Sequence, residues 1–109
     1  MQDFDPIELE VCWNRMTSIA EEQARTLIRA SFSTLVGEME DLATGVYDQE
    51  GSIIAQGVTG TIGVLTGMTM GMKHFLARFP PDTLEPGDVL ISNNPWLFSG
   101  HKFDVTLAT

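Results

Sequence analysis

Residues 5–35 read DPIELEVCWNRMTSIAEEQARTLIRASFSTL, and this stretch decides the class of the fold. Asp5 is a favourable N-cap, Pro6 suits the first helical position, and Glu8 lies where a capping box places its acidic residue. Because neither glycine nor proline follows Pro6 within the stretch, we predict one long helix over residues 6–35. Its apolar face is expected to consist of Leu9, Cys12, Met16, Ile19, Leu27 and Ala30.

A β-hairpin is predicted over residues 42–56. Two short apolar segments flank the tetrad DQEG at residues 48–51. This tetrad is typical of a type I turn that is closed by a glycine in the left-handed conformation. The polar segment 37–41 breaks the helix before the hairpin begins.

A second helix is predicted over residues 62–79, and three glycines recur on it every fourth residue, at Gly63, Gly67 and Gly71. Each glycine lowers helix stability by about 0.8–1 kcal/mol relative to alanine. We therefore expect another helix or a sheet to pack closely against this face. The gaps in the core are expected to be filled by Met68, Met70 and Met72. His74, on the same helix, is expected to be a surface or packed histidine.

A strand, a loop and a second strand are predicted over residues 88–109, and the loop reads NNPWLFSGHKFD at residues 93–104. Its His101 and Asp104 are three residues apart, which brings both side chains near one point in a tight turn. Imidazole and carboxylate are normal ligands of zinc, iron and manganese. Asp41 is a better third ligand than His74, because it follows the long helix at a break, just before the hairpin.

The same loop has a simpler interpretation, in which it only connects two strands. An H-x-x-D pair also occurs by chance in surface loops, and Asn94-Pro95 is a common turn initiator. Asn93 and Asn94 are candidates for holding the two ligands in place, or equally for capping the loop through its backbone. The residues by themselves leave both interpretations open.

Composition restricts the class of protein. The chain has 109 residues, and six Lys and Arg against fifteen Asp and Glu give a net charge of −9. Such an acidic chain repels nucleic acid and anionic membranes, and residues 58–72 are too short and too polar to span a bilayer. Cys12 is the only cysteine, so no internal disulfide forms, and we expect a cytoplasmic protein in which Cys12 is buried. The elements together predict an α+β fold.

Four motifs stand along the chain in one register: DPIxLEV from residue 5, DxEGxxxAQ from residue 48, PGDV from residue 86, and NxPW…GH…DVT from residue 93. Together they resemble the N-terminal part of the hydantoinase B/5-oxoprolinase family, which includes N-methylhydantoinase beta subunits. The resemblance covers almost the whole chain.

The resemblance implies a hydrolase that opens cyclic amides such as hydantoins and 5-oxoproline. It also implies a divalent Zn, Mn or Fe ion, and ATP coupling through an A-type hydantoinase subunit or domain. By position, the family's metal ligands correspond to Asp41, His101 and Asp104. Because family members are several times longer, we expect these 109 residues to be an N-terminal segment that is inactive alone, with a further ligand beyond Thr109. A homo- or hetero-oligomer is expected.

Two positions depart from the family pattern. Asn94 stands where the family usually has an aspartate, and Lys102-Phe103 replaces the residues usual between the histidine and the aspartate. One change replaces a carboxylate by an amide and the other puts a cation beside the ligands. Because the chain offers at most the three ligands Asp41, His101 and Asp104, a weak or empty metal site is expected. Two alternatives to the cyclic-amide hydrolase stay open. One is a segment similar to the large subunit of acetone carboxylase. The other is a non-catalytic assembly module that contacts a partner through its acidic surface and through the glycine stripe formed by Gly63, Gly67 and Gly71.

Overall fold

The computed structural model describes residues 5–109, apart from the side chain of Ile62. These residues divide into two compact units. The first comprises the described residues up to Val46 together with Ile53–Thr61, and the second comprises Tyr47–Ser52 and Ile62–Thr109. In chain order the elements are α1 (Pro6–Ala30), α2 (Thr34–Gly37), β1 (Gly45–Tyr47), β2 (Ile53–Gln56), α3 (Ile62–Arg78), a 3-10 turn (Pro81–Thr83), β3 (Leu90–Ser92) and β4 (Thr106–Ala108). The predicted α+β class is confirmed.

Helix α1 begins as predicted and ends earlier than predicted. The Asp5 carboxylate accepts a hydrogen bond from the Ile7 N–H at 2.9 Å, which caps the helix. At its other end Ser31 is extended, and its hydroxyl accepts a hydrogen bond from the Ser33 N–H at 3.0 Å. Because serine offers the backbone this local alternative, the helix stops at Ala30 and a separate turn, α2, follows.

The buried face of α1 differs from the predicted apolar face. Ala20 and Ala24 are fully buried, whereas most of the predicted face is exposed: Leu9, Cys12, Ile19, Leu27 and Ala30. Met16 is half-buried. The expected burial of Cys12 is thus wrong as well.

Close backbone approach explains why alanines take the buried face. The Thr44 hydroxyl donates a hydrogen bond to the Ala20 carbonyl at 2.7 Å, and a Cβ on Gly57 would lie 3.3 Å from the same oxygen. Larger side chains on this face of α1 would hold β2 and its flanking backbone away from the helix. Size, rather than hydrophobicity, therefore selects the packed face.

Glu21 ties α1 to the segment that follows β2. Its Oε2 accepts hydrogen bonds from the N–H groups of Val58 and Thr59, both at 2.9 Å, and its Oε1 accepts from the Thr59 hydroxyl at 2.5 Å. Arg25 Nε donates to Oε1 at 3.0 Å. The Thr59 hydroxyl, followed by the Thr59 N–H, lowers the pKa of Glu21 from its ordinary value of 4.5 to about 2.

The stability of the first unit is expected to fall in acid because of this carboxylate. Its pKa is lower in the folded chain than in the unfolded chain, so its contribution is complete above about pH 4.5 and is lost as the pH falls towards 2. Urea unfolding at pH 7 and pH 3 measures the loss, which should be smaller in Glu21→Gln than in the control Glu22→Gln. An equal loss in both variants would contradict this assignment.

The hairpin turn is confirmed in detail. β1 and β2 form a two-stranded sheet. In the turn, the Gly51 N–H donates to the Asp48 carbonyl at 3.1 Å, and Gly51 has a φ of 79°. The Asp48 carboxylate also accepts from the N–H groups of Glu50 and Ser52. β1 begins at Gly45, three residues after the predicted start at 42, whereas β2 ends at Gln56 as predicted.

The second unit is built from α3 and a two-stranded ribbon. α3 ends at Arg78, one residue before the predicted end and two before Pro80, where the chain has no N–H to continue it. β3 and β4 pair antiparallel, with Leu90 opposite Ala108 and Ser92 opposite Thr106. The predicted strand–loop–strand order of residues 88–109 is therefore present.

The core of this unit is small. Phe75 on α3 is buried, and its ring centroid lies 4.8 Å from that of Phe98 in the loop between β3 and β4. Met68 and Met72 are half-buried, but Met70 is exposed, so the prediction that it fills the core is wrong. No helix in the described part of the chain is long and apolar enough to cross a membrane.

Candidate metal-binding loop

The loop between β3 and β4 lies directly on the glycines of α3. A Cβ on Gly67 would lie 2.6 Å from the Phe98 carbonyl oxygen and 2.9 Å from the Ser99 Cα, and a Cβ on Gly71 would overlap the Phe98 ring. A Cβ on Gly63 would meet no heavy atom within 4 Å. Close packing is therefore confirmed for two of the three glycines. The element that approaches them is a loop, and not the expected helix or sheet.

Asn94 caps the start of this loop. Its side-chain Oδ1 accepts a hydrogen bond from the Trp96 N–H at 3.0 Å, and its own N–H donates to the Ser92 hydroxyl at 3.2 Å. An aspartate would offer the same acceptor oxygen, so the change to asparagine preserves the turn while removing a charge. Asn93 is exposed, and its proposed role in supporting the ligands stays a prediction.

His101 and Asp104 meet at the end of the loop. His101 Nδ1 lies 3.0 Å from Asp104 Oδ2, and the two side chains are 66% and 34% exposed. The Ser99 hydroxyl donates to the same carboxylate oxygen. Gly100, with a φ of 86°, turns the chain between Ser99 and His101 in a conformation that most side chains avoid. The predicted meeting of the histidine and the aspartate is thus present.

The chemistry of this pair suits a divalent cation. Imidazole nitrogen and carboxylate oxygen are donor types that divalent ions accept, and the 3.0 Å between His101 Nδ1 and Asp104 Oδ2 is the length of a direct hydrogen bond or ion pair. Both side chains are partly open to solvent. The pair supplies two donors, and within residues 5–109 no group of three or more His, Cys, Asp or Glu side chains is arranged to hold a metal ion.

Asp41 lies between α2 and β1, as the sequence predicts. It is exposed, its N–H donates to the Leu35 carbonyl at 2.9 Å, and its Oδ1 accepts from the Thr61 hydroxyl at 3.2 Å. The preceding Glu40 has a φ of 54°, an uncommon conformation for a residue with a side chain. Because Asp41 belongs to the first unit and the pair to the second, its role as a third ligand stays a prediction.

Sequence reasoning missed two residues of chemical interest. The sequence pattern did not single out Ser99, although it stands two residues before the histidine. Glu21 was not singled out either, although it binds backbone N–H groups 37 and 38 residues away. A serine beside the H-x-x-D pair was a visible signal, whereas nothing near Glu21 in the sequence indicates its partners.

Comparison with known proteins gives one family. The profile of the hydantoinase B/oxoprolinase family matches residues 5–109. The chain is 32% identical over 107 residues to 5-oxoprolinase of Saccharomyces cerevisiae, covering 98% of this chain and 8% of that protein. It is 30% identical over 108 residues to 5-oxoprolinase 1 of Arabidopsis thaliana, covering 96% of this chain and 8% of that protein.

A shorter relative comes from a bacterium. A Pseudomonas protein proposed to be the B-type subunit of a D-/L-hydantoinase is 27% identical over 108 residues, covering 96% of this chain and 18% of that protein. No solved structure matches the chain. The chain therefore spans less than a fifth of the length of each of these three relatives.

Proposed function

Because this chain belongs to the hydantoinase B/oxoprolinase family, we propose that it is the N-terminal segment of a metal-dependent hydrolase that opens cyclic amides such as hydantoins or 5-oxoproline. The observation that carries the proposal is the contact of His101 Nδ1 with Asp104 Oδ2 at 3.0 Å. Both residues fall within the part of the chain that the family profile matches.

His101 and Asp104 would hold a Zn, Mn or Fe ion, with Asp41 as a third ligand. A divalent ion in such a site lowers the pKa of a bound water or polarises an amide carbonyl, and both effects favour ring opening. Asp104 Oδ2 also faces both Ser99 and His101 Nδ1, an arrangement in which a carboxylate fixes the orientation of an imidazole whose other nitrogen would bind the ion. Lys102 follows His101 in the chain, is exposed, and adds a positive charge to the loop.

The proposed reaction needs a partner. The name of the Pseudomonas relative describes a subunit, which supports a hydantoinase of more than one subunit. We extend this to an A-type subunit or domain that couples ring opening to ATP hydrolysis. In this arrangement the segment contributes ligands and not the nucleotide site.

A turnover assay tests the proposal. The whole protein that carries this segment is purified with its A-type partner, ATP and Mn²⁺ or Zn²⁺, and is offered hydantoin, 5-oxoproline, or acetone with bicarbonate. Ring opening of either cyclic amide, together with ATP consumption, is the expected result. Turnover of acetone alone would instead favour the carboxylase alternative, and a protein that binds no metal and turns over none of the three would favour an assembly role.

A further inference from the structure

The glycines of α3 bear on the position of the His101–Asp104 pair. Gly67 lies so close to the loop that its missing Cβ leaves room for the backbone at Phe98 and Ser99. Gly71 leaves room for the Phe98 ring, which packs against the buried Phe75 on the same helix. The loop thus packs on α3 through its backbone at Phe98 and Ser99 and through the Phe98 ring.

Ser99 links the contact between the loop and α3 to the His101–Asp104 pair. Its Cα is one of the atoms nearest to Gly67, and its hydroxyl donates to Asp104 Oδ2, the oxygen that also faces His101 Nδ1. A displacement of the backbone at Ser99 therefore moves a hydrogen-bond donor of the carboxylate. The contacts run without a gap from α3 through Ser99 and Asp104 to His101.

From these contacts we infer that Gly67 and Ser99 are positioning residues for the His101–Asp104 pair. Gly67 sets the distance between α3 and the loop backbone. Ser99 couples that distance to the position of the Asp104 carboxylate through its hydrogen bond. The inference rests on the proposed metal-binding function of the pair. It adds two residues that act on the ligands without touching the ion.

The Gly67→Ala substitution tests the first residue, and Gly63→Ala is its matched control. Both add one methyl group to α3, but only the methyl group at residue 67 meets loop backbone, at 2.6 Å from the Phe98 oxygen. Binding of Mn²⁺ and of Zn²⁺ is measured by calorimetry on the full chain, in a Cys12→Ser background so that the exposed thiol does not bind zinc. We expect an affinity loss of about 10- to 100-fold in Gly67→Ala, the usual range for groups that support a ligand, and no loss in Gly63→Ala.

Ser99 is tested by removing and then restoring its hydroxyl. Ser99→Ala should lower metal affinity by a similar factor, and Ser99→Thr, which keeps the hydroxyl, should recover it. Ser18→Ala, at an exposed serine whose hydroxyl bonds the Asn14 carbonyl one turn away, is the control. Thermal unfolding is recorded for every variant, so that an affinity loss is compared only among folded chains. Equal affinity in Gly67→Ala, Ser99→Ala and the unsubstituted chain would overturn the inference.

A second measurement separates this inference from the metal-binding proposal. In the metal-free chain the carboxylate should hold the His101 proton on Nδ1, and nitrogen NMR of the imidazole reports that tautomer. We expect the Nδ1–H form to dominate in the unsubstituted chain and in Gly63→Ala, and to lose population in Gly67→Ala. If the unsubstituted chain binds no metal, the metal-binding proposal fails, and this measurement alone decides the positioning role. An unchanged tautomer in Gly67→Ala would then overturn it.

Discussion

Under the proposed metal-binding function, the His101→Ala substitution is expected to remove most of the affinity for the metal. His101 supplies the only nitrogen donor of the pair, and its Nδ1 lies 3.0 Å from Asp104 Oδ2. Loss of an outer partner of a metal ligand already lowers affinity by about 10- to 100-fold, so the loss of a ligand itself should exceed that range. Titration calorimetry with Mn²⁺ and Zn²⁺ measures the change.

The chain provides its own control for this experiment. His74 is exposed on α3 and is the only other histidine, so His74→Ala removes the same type of side chain from a different place. Metal affinity should be unchanged in His74→Ala and should fall in Asp104→Asn as well as in His101→Ala. If the two histidine variants lose affinity equally, the binding is not at the loop.

The Phe75→Ala substitution is expected to cause the largest loss of stability. Phe75 is 6% exposed and packs against Phe98, so its removal leaves a cavity in the core of the second unit. Truncation of a buried phenylalanine costs about 3–5 kcal/mol, a large share of the roughly 5–15 kcal/mol by which a domain is stable. Urea unfolding should show a lower midpoint with an unchanged slope.

Phe103→Ala is the matched control for this prediction. Phe103 belongs to the same unit and is 95% exposed, so its truncation removes a surface ring and should change the free energy of unfolding by less than about 0.5 kcal/mol. Hydrogen exchange at the amides of α3 gives a second measure that is specific to this unit. Equal destabilisation by both substitutions would mean that Phe75 is not part of the core that we describe.

Much of the local structure could be predicted from short stretches of sequence. The Asp5 cap and the glycine-closed turn after Asp48 each depend on residues within four positions of one another, and both are confirmed. The meeting of His101 and Asp104 was predictable for the same reason, since the two residues are three positions apart in one loop. The family motifs extended these local signals to the proposed chemistry.

The early end of α1 shows where even a local signal was incomplete. Serine is tolerated within helices, so Ser31 and Ser33 did not indicate an end. The helix stops there because the Ser31 hydroxyl accepts a hydrogen bond from the Ser33 N–H. Helix and turn are close in free energy at such serines, so the pattern of apolar residues does not decide between them.

The sequence by itself determined the helix start, the hairpin turn, the loop and the pair of candidate ligands, because each is specified by neighbouring residues. Only the tertiary structure decided which faces meet. It placed Ala20 rather than Leu9 or Leu27 inside, it brought Gly67 against the loop at Phe98, and it joined Ser99 to Asp104. These outcomes depend on how closely two backbones approach, which is set by the shape of both partners together and not by the hydrophobicity of either one.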